Sequence, residues 1–162
     1  MNSDARQIRE FDGSSELPLV RALFAEYASS LKIDLCFQNF EAELASLPGD
    51  YVSPRGALML AWERQELVGC CALRPLDAAD YPNACEMKRL YVRPGLRGCG
   101  LGRRLAEAVM EAAQQVGYAT MLLDTLSEME TARAMYQDLG FIEVPPYYYN
   151  PIEGAHYLMA RL

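Results

Sequence analysis

Apolar positions in this chain recur with a period of two in some stretches and about 3.6 in others, and the switches between them lay out its elements. Residues 5–11 read as a short strand. From there Leu17, Val20, Leu23, Phe24, Tyr27 and Leu31 return at helical spacing, with Ser15 as the cap and Pro18 tolerated in the first turn. A second short helix follows Asn39 and stops before Pro48-Gly49. Residues 57–63 and 67–76 are apolar runs separated by the polar Glu63-Arg64-Gln65-Glu66, the pattern of a hairpin. A central strand at 84–92 leads into a glycine turn. Leu101, Leu105, Ala108, Val109, Ala112 and Val116 then mark an amphipathic helix that Gly117 stops. A strand at 119–125, a helix at about 129–139 stopped by Gly140, and strands at 141–148 and 156–161 complete the pattern. A run of strands followed by strand, helix, strand, helix predicts a mixed α/β sheet, and 162 residues without a linker or repeat predict one domain, residues 1–162.

Composition narrows what such a domain binds. With a formal net charge of -7, nucleic acid and an anionic membrane surface are poor default partners. The charged start MNSDARQIRE lacks a leader's apolar run, and no later run approaches a membrane span, so a cytoplasmic protein is expected. The cysteines at 36, 70, 71, 85 and 99 are odd in number and lack ligand spacing. His156 is the single histidine and takes no assigned role. No metal and reduced thiols are the expectation. Cys70 and Cys71, adjacent in a strand, should face opposite sides as small core residues.

The charge is unevenly spread. Lys88, Arg89, Arg93, Arg97, Arg103 and Arg104 are six of the fifteen basic residues, and no acidic residue lies between Met87 and Ala106. Such a cluster is a solvated basic face or, centred on a glycine turn, a site for a small polyanion. The turn itself, Arg97-Gly98-Cys99-Gly100-Leu101-Gly102, favours the second reading. Glycines admit a close backbone approach and positive φ, and the helix start behind them offers unpaired N–H groups and the positive dipole end. Phosphate is the natural guest. The Walker pattern fails because no lysine follows the glycines, and GxGxxG from Gly98 fails because Arg103 stands at its third glycine. A Ser or Cys nucleophile is not indicated either, with one histidine and no GxSxG elbow.

The segment resembles the acetyl-CoA loop of the GNAT superfamily of N-acetyltransferases, Q/R-x-x-G-x-G/A after a strand ending in an apolar-x-V run. Leu90-Tyr91-Val92 matches that strand end, and Arg97, Gly100 and Gly102 fill the three specified positions. Ala132, Tyr136, Gly140 and Phe141 resemble the second signature of the family, A-x-x-L-Y followed by G-F, with Met135 in place of leucine. The order of strands and helices is similar from residue 5 to the C-terminus. The resemblance implies a single-domain GNAT-like fold of the α+β type, with a mixed, mostly antiparallel sheet of about seven strands and about four helices, splayed between the fourth and fifth strands.

It also implies chemistry: transfer of an acetyl group from acetyl-CoA, as co-substrate, to an amine acceptor by direct attack in a ternary complex, in a monomer or homodimer. The N–H groups of Gly98, Cys99, Gly100, Leu101, Gly102 and Arg103 would cradle the pyrophosphate. Main chain at Leu90 and Val92, either side of Tyr91, would pair with the pantetheine arm, while Arg97 and Arg103 add charge. Met129 stands where relatives often place an asparagine on that arm. Tyr136 is the candidate general acid, since a phenol near ~10 is matched closely enough to a thiol near ~8.5 to protonate it; its spacing with Ala132, Met135 and Leu139 equally makes a core face. Glu86, four residues before Leu90, is the candidate general base, and alternation places it on the side of Lys88 and Leu90. It would otherwise be a strand carboxylate paired with Lys88 or a nearby arginine. Residues 31–56 and the C-terminal hairpin, where Tyr147-Tyr148-Tyr149 should alternate between core and pocket, would form the acceptor side. Lys88 and Arg89 would face a carboxylate on the acceptor or the phosphates of CoA. A non-catalytic acyl-CoA sensor, keeping the loop but not depending on Tyr136, and a nucleotide-phosphate domain are the competing classes.

Overall fold

The computed structural model describes residues 6–31, 39–77, 80–126, 130–150 and 152–162. In chain order these form β1 (Arg6–Glu10), α1 (Leu17–Ser30), α2 (Phe40–Ser46), β2 (Ala57–Glu63), β3 (Glu66–Leu76), β4 (Ala84–Val92), α3 (Leu101–Val116), β5 (Thr120–Leu126), α4 (Glu130–Asp138), β6 (Ile142–Val144) and β7 (Ala155–Arg161). The strands make a seven-stranded sheet in the order β1-β2-β3-β4-β5-β7-β6. Every neighbouring pair is antiparallel except β4 and β5, whose parallel pairing needs the crossover that α3 supplies. The expected mixed, mostly antiparallel sheet with four helices is the fold observed.

Each face of the sheet carries its own core. On one, Val20, Leu23 and Phe24 of α1 and Phe40 of α2 pack on Leu58, Leu60, Cys70, Ala72 and Tyr91. On the other, Leu101, Leu105, Val109 and Ala113 of α3 and Tyr136 of α4 pack on Cys71, Leu73, Cys85, Met87, Val92, Met121 and Leu123. The alternation read from the sequence holds for Cys70 and Cys71, which divide between the two. Gly69 lets α3 sit close to the sheet, because a Cβ there would lie 3.0 Å from the Tyr91 carbonyl and 3.1 Å from Leu105 Cδ1. Helix α3 ends as expected at Gly117, whose φ of 103° turns its N–H back onto the Ala113 and Gln114 carbonyls at 3.1 Å.

Two features of β4 set the centre of the molecule. Its register against β3 passes from Ala72↔Lys88 to Cys70↔Tyr91, so Arg89 and Leu90 together oppose Cys71, a bulge with Arg89 at φ 60°. Its pairing with β5 covers only Ala84–Glu86 against Thr120–Leu122. Beyond that rung the strands part, at the place the splay was expected. The bulge also inverts the alternation. Glu86 and Lys88 face the α1 side, but Leu90 packs with the α3 cluster and Tyr91 with the α1 cluster, so Leu90 does not share the side of Glu86.

Two further expectations are corrected. Ser15 does not cap α1; a 3-10 turn, Ser14–Glu16, precedes the helix, and Glu16 occupies the cap position without a side-chain cap bond. The strand expected at 141–148 is only β6, three residues long, because Pro145 and Pro146 have no N–H to give a ladder. Tyr147, Tyr148 and Tyr149 therefore lie on no strand and do not alternate between faces. Tyr147 and Tyr148 both turn inward with rings 5.3 Å apart, while Tyr149 is 85% exposed.

Leu105, fully buried between α3 and the sheet, tests the packing. Leu105→Ala should lower unfolding free energy by about 2–5 kcal/mol in urea denaturation followed by circular dichroism. A loss under ~1 kcal/mol would mean that α3 does not rest on that contact.

Candidate functional site

The glycine turn is built for backbone approach. Gly98 and Gly100 hold φ of 86° and 82°, a region that costs other residues roughly 1–2 kcal/mol. A Cβ at either would meet nothing within 4 Å, so the glycines answer to conformation and open access rather than to packing. The Arg104 N–H is the first to turn back into the helix, onto the Gly100 carbonyl at 3.1 Å. The N–H groups of residues 98–103 meet no acceptor among the described residues. With the dipole of the sixteen-residue α3 behind them, they present unpaired donors at its positive end.

The arginines of the segment hold the scaffold. Arg97 Nε donates to the Val92 carbonyl at 2.9 Å, and its guanidinium lies 5.5 Å from the centre of the Tyr91 ring, which ties the loop to the end of β4. Arg103 pairs with Asp138 at 3.0 Å and Glu107 at 3.7 Å, bridging α3 to α4. Cys99 is exposed, and its thiol donates to the Leu96 carbonyl at 2.7 Å. Leu101 is buried, and Gly102 lies over Val92, whose Cγ2 would be 3.8 Å from an added Cβ. Met129 lies outside the described residues.

Tyr136 projects from α4 into the core, 6% exposed and edge-on to Phe141 at 5.6 Å. Burial raises its hydroxyl well above the ordinary phenol range, and the charges of Cys71, Tyr27 and Asp124 add to the shift. At neutral pH the hydroxyl is fully protonated, and the same shift makes it a weaker acid than an ordinary phenol, further from a thiol than the expected match.

Glu86 is 1% exposed, and both its oxygens are engaged. Arg74 reaches Oε1 with Nε at 2.9 Å and with its terminal nitrogen at 2.8 Å, and the Tyr147 hydroxyl donates to Oε2 at 2.6 Å. It belongs to a larger buried network on the α1 side. Lys88 lies 3.8 Å from Asp124, which also accepts from the Tyr148 hydroxyl and from Asn150 Nδ2. Burial pushes the Lys88 ammonium below its ordinary range, and Glu86 and Asp124 partly restore it. Arg89 holds Glu43 bidentately at 2.9 and 3.0 Å and lies over the Phe40 ring. Tyr51, whose hydroxyl burial drives upward, stands beside Glu43, Arg89 and Arg74.

Lys88, Arg89, Glu86 and the tyrosines of the C-terminal segment were read from the sequence, and Glu43 and Tyr51 fall within residues 31–56, expected on the acceptor side, without being singled out; Asp124 and Tyr27 were not assigned to the site. Asp124 left a signal, one charged residue in the apolar run Thr120–Leu126. Glu43 left none, because an acidic residue in a short helix looks solvated until the chain brings Arg89 to it from 46 residues away.

Compared with known proteins, residues 19–141 match the family described as acetyltransferase (GNAT). An uncharacterized N-acetyltransferase of Schizosaccharomyces pombe is 39% identical over 143 residues, covering 88% of this chain and 86% of that protein. A GNAT-family acetyltransferase from Staphylococcus aureus has a similar solved structure, with a TM-score of 0.78 at 20% identity over 97% of this chain and 99% of the other. An acetyltransferase from Salmonella typhimurium, solved with its cofactor acetyl-CoA, gives 0.67 at 17% identity over 97% and 94%.

The tyrosines of the site predict how the protein responds to alkali. Burial raises Tyr27, Tyr51, Tyr91, Tyr118, Tyr136, Tyr147, Tyr148 and Tyr157, eight of the ten tyrosines. Above pH ~10 the unfolded chain releases these protons while the folded chain keeps them, so stability falls as pH rises through that point. Most tyrosinate absorbance should therefore appear in one cooperative step that coincides with loss of circular dichroism. A gradual titration with the fold intact would show that the hydroxyls reach water.

Proposed function

Because the chain belongs to the acetyltransferase (GNAT) family, by its match over residues 19–141 and its 39% identity to the fission-yeast relative, we propose that it acetylates a primary amine of a small molecule or peptide from acetyl-CoA, by direct attack in a ternary complex. The enzyme is an N-acetyltransferase by family. The observation that carries the donor assignment is the run of N–H groups at residues 98–103, without acceptors among the described residues and set at the positive end of α3. These groups suit a pyrophosphate, which binds through several N–H donors at once. The main chain of Leu90 to Val92 lies beyond the last rung shared with β5, which supports pairing with the pantetheine arm. Tyr91 and Arg97 hold that strand end and the loop together. The four described cysteines are free, and no described helix is long and apolar enough to cross a membrane, which supports a reducing cytoplasmic setting.

Acetyl-CoA brings the thioester carbon that the amine attacks. Tyr136, protonated throughout the neutral range though a weaker acid than a free phenol, is our general acid for the departing sulfur. Glu86 is our base, acting through Tyr147. As the hydroxyl of Tyr147 takes a proton from the ammonium, its own proton passes along the 2.6 Å bond to Glu86 Oε2, leaving a neutral amine, a neutral phenol and a protonated carboxyl. Arg74 fixes the other oxygen, so the relay has one geometry.

Gly100→Leu should weaken acetyl-CoA binding roughly 100-fold in calorimetry, the loss of about two charge-assisted hydrogen bonds, with the fold retained. Unchanged affinity would remove the loop from donor binding. Tyr136→Phe should lower turnover roughly 100-fold in a thiol-release assay across a panel of amines, with donor affinity unaltered. Full turnover would exclude it as the acid. Glu86→Gln should alter the acidic limb of the kcat/KM profile, and an unchanged profile would leave Glu86 as a structural carboxylate.

A further inference from the structure

The network on the α1 side of the splay holds more buried charge than the fold needs. Three cations meet three carboxylates there: Arg74 with Glu86, Lys88 with Asp124 and Arg89 with Glu43. Lys88 and Arg89 are only 4% and 3% exposed in their side chains, and Glu86 is 2% exposed. Lys88–Asp124 and Arg89–Glu43 are the enclosed pairs, while Arg74 keeps 34% of its side chain exposed. Buried ion pairs seldom repay the water they give up, so two side by side point to a use other than stability. The charges also balance. A guest of net charge would leave one ion uncompensated at low dielectric, whereas a guest with one charge of each sign would not.

A second, independent feature points to a ligand. The Tyr51 hydroxyl, in a residue 3% exposed, falls outside hydrogen-bond geometry with every described residue, and the carboxylate that acts on it most strongly is Glu43, itself held by Arg89. An enclosed hydroxyl without a partner is costly, and a phenol meets that cost best by donating to an anion. The opposite end of the network is acidic and lies nearer the chemistry. Asp124 lies two residues past the last β4–β5 pair, 3.8 Å from Lys88, and both Tyr27 and Tyr136 feel its charge.

We propose that the acceptor is a small amino-acid-like zwitterion, its ammonium received by Asp124 and its carboxylate by the Arg89 guanidinium and the Tyr51 hydroxyl. The assignment rests on the acetyltransferase reading above and names the chemistry of the acceptor. It accounts for the equal charges, for the orphaned hydroxyl at one end and for the carboxylate near Tyr136 at the other. Polyamines and lysine side chains of peptides lack the neighbouring carboxylate and would bury an unbalanced charge.

The test uses the full chain with acetyl-CoA and three sets of acceptors in a thiol-release assay: free amino acids, their decarboxylated amines and their carboxamides. At least one amino acid should exceed its decarboxylated amine and its carboxamide by roughly 100-fold in kcat/KM, since a site built to hydrogen-bond a group rejects the analogue lacking it. Tyr51→Phe should cut that ratio about tenfold, chiefly through KM for the amino acid. Asp124→Asn should lower kcat/KM for both while calorimetry shows acetyl-CoA affinity intact, which separates lost recognition from misfolding. A preference for decarboxylated amines or peptide side chains, or a ratio unmoved by Tyr51→Phe, overturns the proposal and leaves acetyl transfer standing. Silence with every amine while acetyl-CoA still binds removes the catalytic reading and this proposal with it.

Discussion

The extra residue at Arg89 is the constraint on which the rest of this molecule depends. A strand with one residue too many must bend and exchange its faces, and here the exchange happens at the point where β4 stops pairing with β5. Before the bulge, Glu86 and Lys88 serve the α1 side; after it, Tyr91 does, while Leu90 and Val92 go to α3. The same turn brings Arg89 onto Glu43 and Phe40. One backbone irregularity thus opens the sheet, aims the strand end at the glycine loop and places a cation in the charged network. The thiol of Cys70, which donates to the Arg89 carbonyl at 3.2 Å, satisfies the acceptor that the bulge takes out of the ladder.

The two halves of the site rest on different physics. The loop side is almost all backbone, with glycine conformations and helix-end donors, and its arginines hold the frame. The opposite side is almost all side chain, with ion pairs and phenols drawn from α1, α2, β3, β4, β5 and the segment after β6. A backbone site tolerates little variation in its glycines and wide variation elsewhere. A side-chain site is open to rebuilding, because each pair can be replaced without moving a strand.

That difference explains what could be read in advance. The loop side was legible because its determinants are contiguous: Arg97 to Gly102 carry their turn chemistry in order, and periodicity located α3 from Leu101 to Val116 without further information. The splay was implied by family resemblance, since nothing in the residues Ala84 to Val92 announces a bulge; Arg89 is an ordinary strand residue until its φ is known. The side-chain half was poorly legible, because Glu43 and Arg89 or Glu86 and Tyr147 meet only through the fold. The misread tyrosines are a different case. Pro145-Pro146 precede them and have no N–H to give a ladder, so the strand that the pattern predicts at 141–148 ends at Val144.

Tyr147 and Tyr148 are neighbours in the chain, yet one holds a carboxylate of β4 at the last rung shared with β5 and the other a carboxylate of β5 beyond it. The six residues from Pro145 to Asn150 carry these contacts without belonging to the sheet ladder. Substitution or insertion in them incurs no register penalty, because no strand has to slip to admit it. Tyr147 and Tyr148 themselves are tied to Glu86 and Asp124, so the freedom belongs to the positions around them: Tyr149, 85% exposed, can change without disturbing the sheet or the charged network. Diversification of acceptors within such a chain should begin there, ahead of any change in its core.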